Sequence, residues 1–309
     1  MNIINKAKNF ALLGYSFFMA DHIIGQYHHV KAKNHRVNMF DYQPMLRRKD
    51  ACYNQSRYNL GDYLGFVITS WMLEKKGLSL DTWIPERRHL NTVGSSLLTM
   101  FQNATIWGSG VERDCLSRAV LFLSRYPLTR LDIRAVRGPL TRKMMLDLGH
   151  KCPETYGDPA ILMPFIYNPD VKKCYKYSVI VQLFREEKFR AEHPEEHIIS
   201  MNTDDYKFVI DEIKKSEIVY SSSLHGIILA EAYGVPAVFF RGLLQTVDFK
   251  YKDYYASTGR IDVHLSDTFE EALKTNPPTL PDLSDLQKRL LQTFPYDLWI
   301  NAKRDISAR

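Results

Sequence analysis

At 309 residues the chain is long for one core and comfortable for two domains, and 45% hydrophobic with 25% charged residues excludes a disordered or fibrous polypeptide. The net charge of +6 is concentrated: residues 1–50 and residues 112–143 each carry eight Lys and Arg against three acidic residues, which leaves the remainder net acidic. Each such arginine taken singly reads as part of a solvated face, but as a group they point to an anionic partner such as a phosphorylated substrate, a lipid diphosphate or a membrane surface, and no recognised nucleic-acid module accompanies them.

Residues 10–20 are apolar behind Lys6 and Lys8, but Asp21 closes the run far short of a membrane span. We read it as a first amphipathic helix of a cytoplasmic protein. Scattered Cys52, Cys115, Cys152 and Cys174, without a CxxC pair or a histidine at ligand spacing, fit reduced thiols and predict neither a disulfide framework nor a metal. A strand is expected over 36–43, ended by Pro44. Asn59-Leu-Gly61-Asp62 then opens a helix over 63–74 that Lys75-Lys76-Gly77 stops, so Asp62 reads either as its N-cap or as a base toward a hydroxyl.

A buried strand over 104–107 breaks into Gly108-Ser109-Gly110, small residues that let backbone approach a ligand or simply make a tight turn; the spacing is not GxGxxG, so no dinucleotide site is predicted. A strand over 131–136 leads into Arg137-Gly138-Pro139, with Pro139 at the first position of a helix that runs through Leu148 to Gly149. Gly157-Asp158-Pro159 marks a strand end, and 168–176 reads as an interdomain linker. The pattern then restarts: strands over 177–184, ending in Arg185, and over 197–201, a helix over 204–215, and a strand over 217–221. Asp204-Asp205 reads as a helix cap. A strand over 236–240, a short strand over 261–264, a capped helix start at Ser266-Asp-Thr-Phe-Glu270 and a helical tail over 283–299 complete the chain. Strands alternating with helices predict parallel sheets of an α/β protein.

The stretch from Ser221 to Pro236 organises the second half. Ser221-Ser222-Ser223 is a turn, Leu224-His225-Gly-Ile-Ile-Leu-Ala-Glu-Ala a helix apolar nearly all the way round, Gly234 its left-handed stop and Pro236 a barrier to continuation. His225 thus stands at a strand-to-helix hinge. There it is either a packing or capping residue, or a group able to donate a proton or hydrogen bond to an anion on the helix N-terminus.

Taken in order, Asn59-x-Gly61-Asp62, Trp107-Gly-Ser-Gly110, Val136-Arg-Gly-Pro-Leu-Thr-Arg142, Tyr156-Gly-Asp-Pro159 and Ser223-Leu-His225-Gly through Gly234-Val-Pro236 resemble the polysaccharide pyruvyl transferase family over roughly residues 37–240. The resemblance implies two Rossmann-like domains in a GT-B-like arrangement with an interdomain cleft. We divide the chain as 1–170 on the acceptor side, 171–284 on the donor side, and a 285–309 helix returning to the first domain. It implies pyruvate transfer from phosphoenolpyruvate to a sugar of a lipid-linked surface glycan precursor, forming a ketal without cofactor or metal, in the cytoplasm and peripheral to the inner face of the cell membrane.

Such chemistry needs cations for a phosphate and a carboxylate, together with an acid and a base. His225 is the expected acid or phosphate-activating group, with Asp62 or Asp158 as base. Arg137, Arg185, Arg241, Asn59, Ser222, Ser223, Gly108 and Ser109 are the expected substrate contacts. Ser223 departs from the family, whose members often carry arginine at that position.

Two rivals stand beside this reading. Glu231-Ala-Tyr-Gly234-Val-Pro236 is similar to the ribose-holding segment of GT-B nucleotide-sugar glycosyltransferases. The interval is too short and an upstream partner glutamate is absent, so Glu231 is expected to be a partly buried carboxylate paired with a base. The other rival is a non-catalytic scaffold of glycan assembly.

Overall fold

The computed structural model describes residues 37–39, 59–80, 88–95, 97, 104–112, 131–241 and 248–300. The expected helix over 10–20, most of the strand over 36–43, Cys52 and Cys115 lie outside them. Seven strands among the described residues form two parallel sheets. The first takes β1 (Val37–Met39), β2 (Arg88–Asn91), β3 (Ala104–Trp107) and β4 (Leu131–Ala135) in that order, and the second takes β5 (Tyr175–Ile180), β6 (Ser216–Ser221) and β7 (Ala237–Phe239). Parallel neighbours require a crossover between them, which is why short apolar strands alternate with helices along the sequence.

In α1 (Leu60–Glu74), Leu60, Leu64, Ile68 and Met72 recur at one helical turn and are buried. They join one apolar cluster that also takes Val209, Ile210 and Ile213 of α4 (Tyr206–Lys215), Ile227 and Ile228 of α5 (Leu224–Ala232), and Trp299. This core crosses the sequence between residues 168 and 176, and Leu60 N donates to Met201 O at 3.0 Å, so α1 is anchored to the second half of the chain.

The β6–α5–β7 unit forms as its sequence implies. α5 is buried from Gly226 through Glu231, and Gly234 follows it at φ +71°. A Cβ at Gly226 would lie 2.4 Å from Ser221 Oγ and 2.8 Å from Ile180 Cγ2, so glycine is what lets the helix start directly over the strands. In the first half, α2 (Pro139–Asp147) begins with Pro139 as expected, and a 3-10 helix (Pro159–Phe165) follows Asp158.

Several expected elements are shorter or shifted. Asn59, at φ −120°, is the N-cap of α1, which places Asp62 inside the first turn rather than at the cap. β5 ends at Ile180 because Gln182 N turns away to Ser222 Oγ, and Leu183–Arg185 is a 3-10 turn leading into α3 (Glu186–Glu192). The 197–201 run makes a single bridge, Val179 to Ile198, rather than a strand. Residues 261–264 pair with nothing in a sheet; the bridge there is Phe240 to Ser266, just before α7 (Phe269–Ala272), whose cap Thr268 accepts from Glu271 N at 3.2 Å. The tail helix α8 (Ser284–Thr293) stops before Pro295, whose missing N–H prevents continuation. α8 packs on the 3-10 helix and on β4, with Trp107 Nε1 donating to Leu290 O at 3.1 Å. No helix among the described residues is long and apolar enough to cross a membrane.

Candidate functional site

The serine turn is a fixed scaffold. Ser222 N donates to Ile180 O at 2.9 Å, Ser222 Oγ accepts from Gln182 N at 3.0 Å, and Ser221 Oγ accepts from Ser223 N at 3.0 Å while donating to Ser223 O at 2.8 Å. Ser221 and Ser222 are fully buried, whereas Ser223 and His225 are partly exposed. Tyr251, on α6 (Phe249–Ser257), donates to Ser222 O at 2.7 Å and accepts from Gln182 Nε2 at 3.2 Å, clamping the turn from the side.

His225 lies in the first turn of α5 with its imidazole 13% exposed. A Cβ on Gly61 would be 1.9 Å from His225 Nδ1, so the ring rests directly on the backbone of α1. Its Nε2 is buried without a hydrogen-bond partner among the described residues and lies 3.8 Å from Asp158 Oδ2. Burial, helped by the positive charges of Lys250 and Arg137, pushes His225 down to about 3, so the imidazole is neutral at neutral pH. Asp158 is 0% exposed; its Oδ1 accepts from Ala160 N at 3.1 Å and its Oδ2 from Gly94 N at 3.4 Å. Burial pushes Asp158 up to about 6, against those two N–H groups and Arg137. At neutral pH the pair is therefore a neutral imidazole facing a carboxylate, and an imidazolium formed at His225 would find its counter-charge at 3.8 Å.

Asn59 and Asp62 lie on the same side. Asn59 Nδ2 donates to Asp62 Oδ2 at 2.8 Å, and a Cβ on Gly94, which has φ +102°, would be 3.1 Å from Asp62 Oδ1. Asp62, Gly61, Gly94, Asp158 and His225 thus converge from four separate segments. Asp62 is a partly exposed carboxylate, whereas Asp158 is sealed behind the imidazole.

Other expected contacts are placed differently. The close approach at Gly108 and Gly110 is made by protein: a Cβ at Gly108 would meet Pro159 Cδ at 2.3 Å and one at Gly110 would meet Arg137 Cζ at 2.4 Å. Ser109 is buried and donates to Gly94 O at 3.0 Å, holding the loop that carries Gly94. Arg137 is 0% exposed, with Nε 3.2 Å from Asp253 Oδ2, Nη1 2.5 Å from Ser95 Oγ and Nη2 bonded to Val111 O. It sends a field into the site without presenting its guanidinium there. Arg241 pairs with Asp248 at 2.7 Å and Asp267 at 2.7 Å beyond the end of β7. Arg185 is partly exposed at the end of the 3-10 turn after β5, and burial lowers the proton affinity of its guanidinium.

Sequence reading passed over Lys250, Tyr251 and Glu112. Lys250 Nζ lies 3.7 Å from Glu112 Oε1 and 5.4 Å from the Tyr251 ring centroid, with its side chain 17% exposed. Its signal in the sequence, one lysine in Phe249-Lys-Tyr-Lys-Asp-Tyr-Tyr255, is that of any helix with a solvated face. Glu231 is clasped by Arg260 at 2.7 Å on both oxygens and by Tyr254 Oη at 2.7 Å, the paired buried carboxylate expected for it.

Parallel sheets with a histidine and a buried carboxylate meeting at a strand-to-helix hinge describe an α/β protein with a candidate site at that hinge. The sequence profile of the family "Polysaccharide pyruvyl transferase" matches residues 27–242, and the chain belongs to that family. The family is one of transferases in polysaccharide synthesis. An uncharacterised protein of Acanthamoeba polyphaga mimivirus is 28% identical over 185 residues, covering 55% of this chain and 60% of that protein's length. A solved structure of a functionally uncharacterised Klebsiella pneumoniae protein aligns at 13% identity with a TM-score of 0.46, covering 86% of this chain and 98% of that one.

Proposed function

We propose that the protein transfers pyruvate from phosphoenolpyruvate to a lipid-linked sugar of a surface glycan precursor, closing a pyruvate ketal across two hydroxyls. Of the two hydroxyl protons, one ends on the methylene carbon, which becomes a methyl group, and the other leaves with phosphate. The observation that carries the reading is His225, held on Gly61 with its Nε2 facing buried Asp158, in a chain of this family. An imidazole beside a carboxylate can take a proton and return it; with Nε2 turned to Asp158 and Nδ1 against Gly61, the ring would have to turn toward substrate to do so, and Asp158 would supply the counter-charge of the imidazolium. Asp62, partly exposed near the same ring, suits the base that draws the proton from the acceptor hydroxyl. Arg185 suits a donor-anion contact. In this reading the two sheets form a GT-B-like pair, with residues 1–170 on the acceptor side, 171–284 on the donor side and 285–309 returning across the first. Contact of the basic N-terminal residues with an anionic membrane would bring the enzyme to its acceptor.

Phosphate release by the purified protein with phosphoenolpyruvate and a lipid-linked acceptor is the direct test. His225→Ala is expected to lower turnover about 10²- to 10⁴-fold; equal turnover, or none in the wild type with any acceptor, favours the scaffold reading. Stabilisation against heat by UDP-sugars but not by phosphoenolpyruvate would favour a glycosyltransferase. The engagement of Glu231 by Arg260 and Tyr254 already gives that rival no free ribose-binding carboxylate at this position.

A further inference from the structure

We infer that Ser109 is a positioning residue: its buried hydroxyl holds the Gly94 loop against both Asp62 and Asp158, and so acts on the reacting groups without touching substrate. The inference rests on the pyruvyl-transfer reading, which gives those two carboxylates their roles. It replaces the substrate contact expected of Ser109 from the sequence.

β2 and β3 are parallel neighbours, with Asn91 paired to Ile106, so the turns that follow them leave the sheet side by side. Gly94 lies just past β2 and Ser109 just past β3. Ser109, 0% exposed, donates to Gly94 O at 3.0 Å, and Gly110 N donates to the same carbonyl at 2.9 Å. Leu97 N, bonded to Gly110 O at 3.2 Å, and Ser95 Oγ, bonded to Arg137 Nη1 at 2.5 Å, fasten the rest of the loop. A hydroxyl sealed in this way can reach a ligand only through what it holds.

What it holds is the residue between two carboxylates. Gly94, at φ +102°, directs its N–H to Asp158 Oδ2 at 3.4 Å, and a Cβ added to it would lie 3.1 Å from Asp62 Oδ1. The second oxygen of Asp62 accepts from Asn59 Nδ2 at 2.8 Å, and the second oxygen of Asp158 accepts from Ala160 N at 3.1 Å. Each carboxylate is therefore gripped on one side by its own segment and on the other by Gly94. The Asp158 oxygen that meets Gly94 N is also the one 3.8 Å from His225 Nε2. At 3.4 Å the Gly94 bond is near the limit of N–H···O geometry, so a loop movement of a few tenths of an ångström decides whether it is made. Without it Asp158 has one N–H fewer favouring its charged form and ionises at higher pH. The other charged groups around Asp158 are His225, Arg137 and, across Gly94, Asp62; a change at Ser109 alters the charge of none of them.

The test compares wild type, Ser109→Ala and Ser109→Cys by turnover of phosphoenolpyruvate against pH, and by urea melts against pH without substrate. In the wild type both readouts turn at about 6, turnover rising and stability falling as Asp158 ionises. Ser109→Ala is expected to lower kcat about 10-fold, to leave KM for phosphoenolpyruvate within about twofold, and to move both turns to higher pH. Gly94 O keeps Gly110 N, so the melting temperature should drop by only about 2–4 °C. Ser109→Cys, with a weak S–H donor, should fall between the two, and it carries the comparison if the alanine variant melts early. A merely structural serine would lower the melting temperature alone. Turns that are absent, or that stay at the wild-type pH in both variants, overturn the assignment and leave the pyruvyl reading standing. A wild type without turnover on any acceptor, whose urea turn still moves in Ser109→Ala, overturns the pyruvyl reading and leaves the hold of Ser109 on Asp158 standing.

Discussion

The His225 ring occupies the volume that any side chain at position 61 would need. Gly61→Ala puts a methyl group 1.9 Å from Nδ1, and the ring, being the mobile partner, must move. Alanine is favoured over glycine in a helix interior by about 1 kcal/mol, but displacing a buried ring costs about 1–3 kcal/mol, so the melting temperature should fall modestly. Turnover is expected to fall at least about 10-fold, because a displaced imidazole no longer faces Asp158. Loss of turnover together with collapse of the melting curve would instead make Gly61 a folding residue. Asp158 carries a pH signature. It ionises at about 6, so turnover should rise with pH through that value as the counter-charge for His225 appears, and Asp158→Asn should remove that limb. Stability runs the opposite way. A carboxyl raised from 3.8 to about 6 contributes stability that is full below 3.8 and lost as pH rises through 6, and the Asn variant should lack that decline in urea melts across the same window. Residue types at these positions were legible in the sequence, since Asp62, Asp158 and His225 all stand at hinges. That Gly61 serves the histidine rather than a ligand was not, because sequence shows an absent side chain but not what fills its place.

Among elements, α6 does what no motif announced. Asp253 accepts from Leu140 N, Thr141 N, Thr141 Oγ1 at 2.6 Å and Arg137 Nε, so a carboxylate 113 residues away from Leu140 caps α2. Asp253→Ala leaves buried Arg137 without its counter-charge and two helix N–H groups without an acceptor, and should cost about 3–5 kcal/mol in urea denaturation. A loss below about 1 kcal/mol would show that the guanidinium finds other partners. The Arg137-Gly138-Pro139 turn was correctly read as a strand-to-helix hinge because proline at the first helical position has a local signature. Whether its arginine faces substrate or interior depends on Asp253, which local sequence cannot place. The run over 197–201 shows the same limit: its apolar residues suit a strand, but it meets β5 at one bridge.

For the whole molecule, the apolar cluster joining α1, α4, α5 and the tail sets the positions of the hinges. Leu290 is fully buried on that seam, its carbonyl bonded to Trp107 and its side chain against Gly157. Leu290→Ala is expected to lose about 2–5 kcal/mol of stability in denaturant melts. A change under about 1 kcal/mol would mean that the tail is dispensable to the core. The basic residues before position 50 make a separate prediction. The full chain should co-sediment with anionic vesicles at low salt and be released as ionic strength rises, and indifference to both salt and lipid charge would remove the membrane contact from the proposed function.

Alternation of apolar runs with glycine and proline stops was enough, without coordinates, to give parallel α/β architecture, the β6–α5–β7 unit and the candidacy of His225, since each follows from periodicity and local backbone constraints. Only the tertiary structure decided that Asp158 stands behind His225, that Arg137 turns inward, and that Tyr251 clamps the serine turn. Those outcomes depend on contacts between residues far apart in the chain, where burial and charge are set by neighbours that no local pattern specifies.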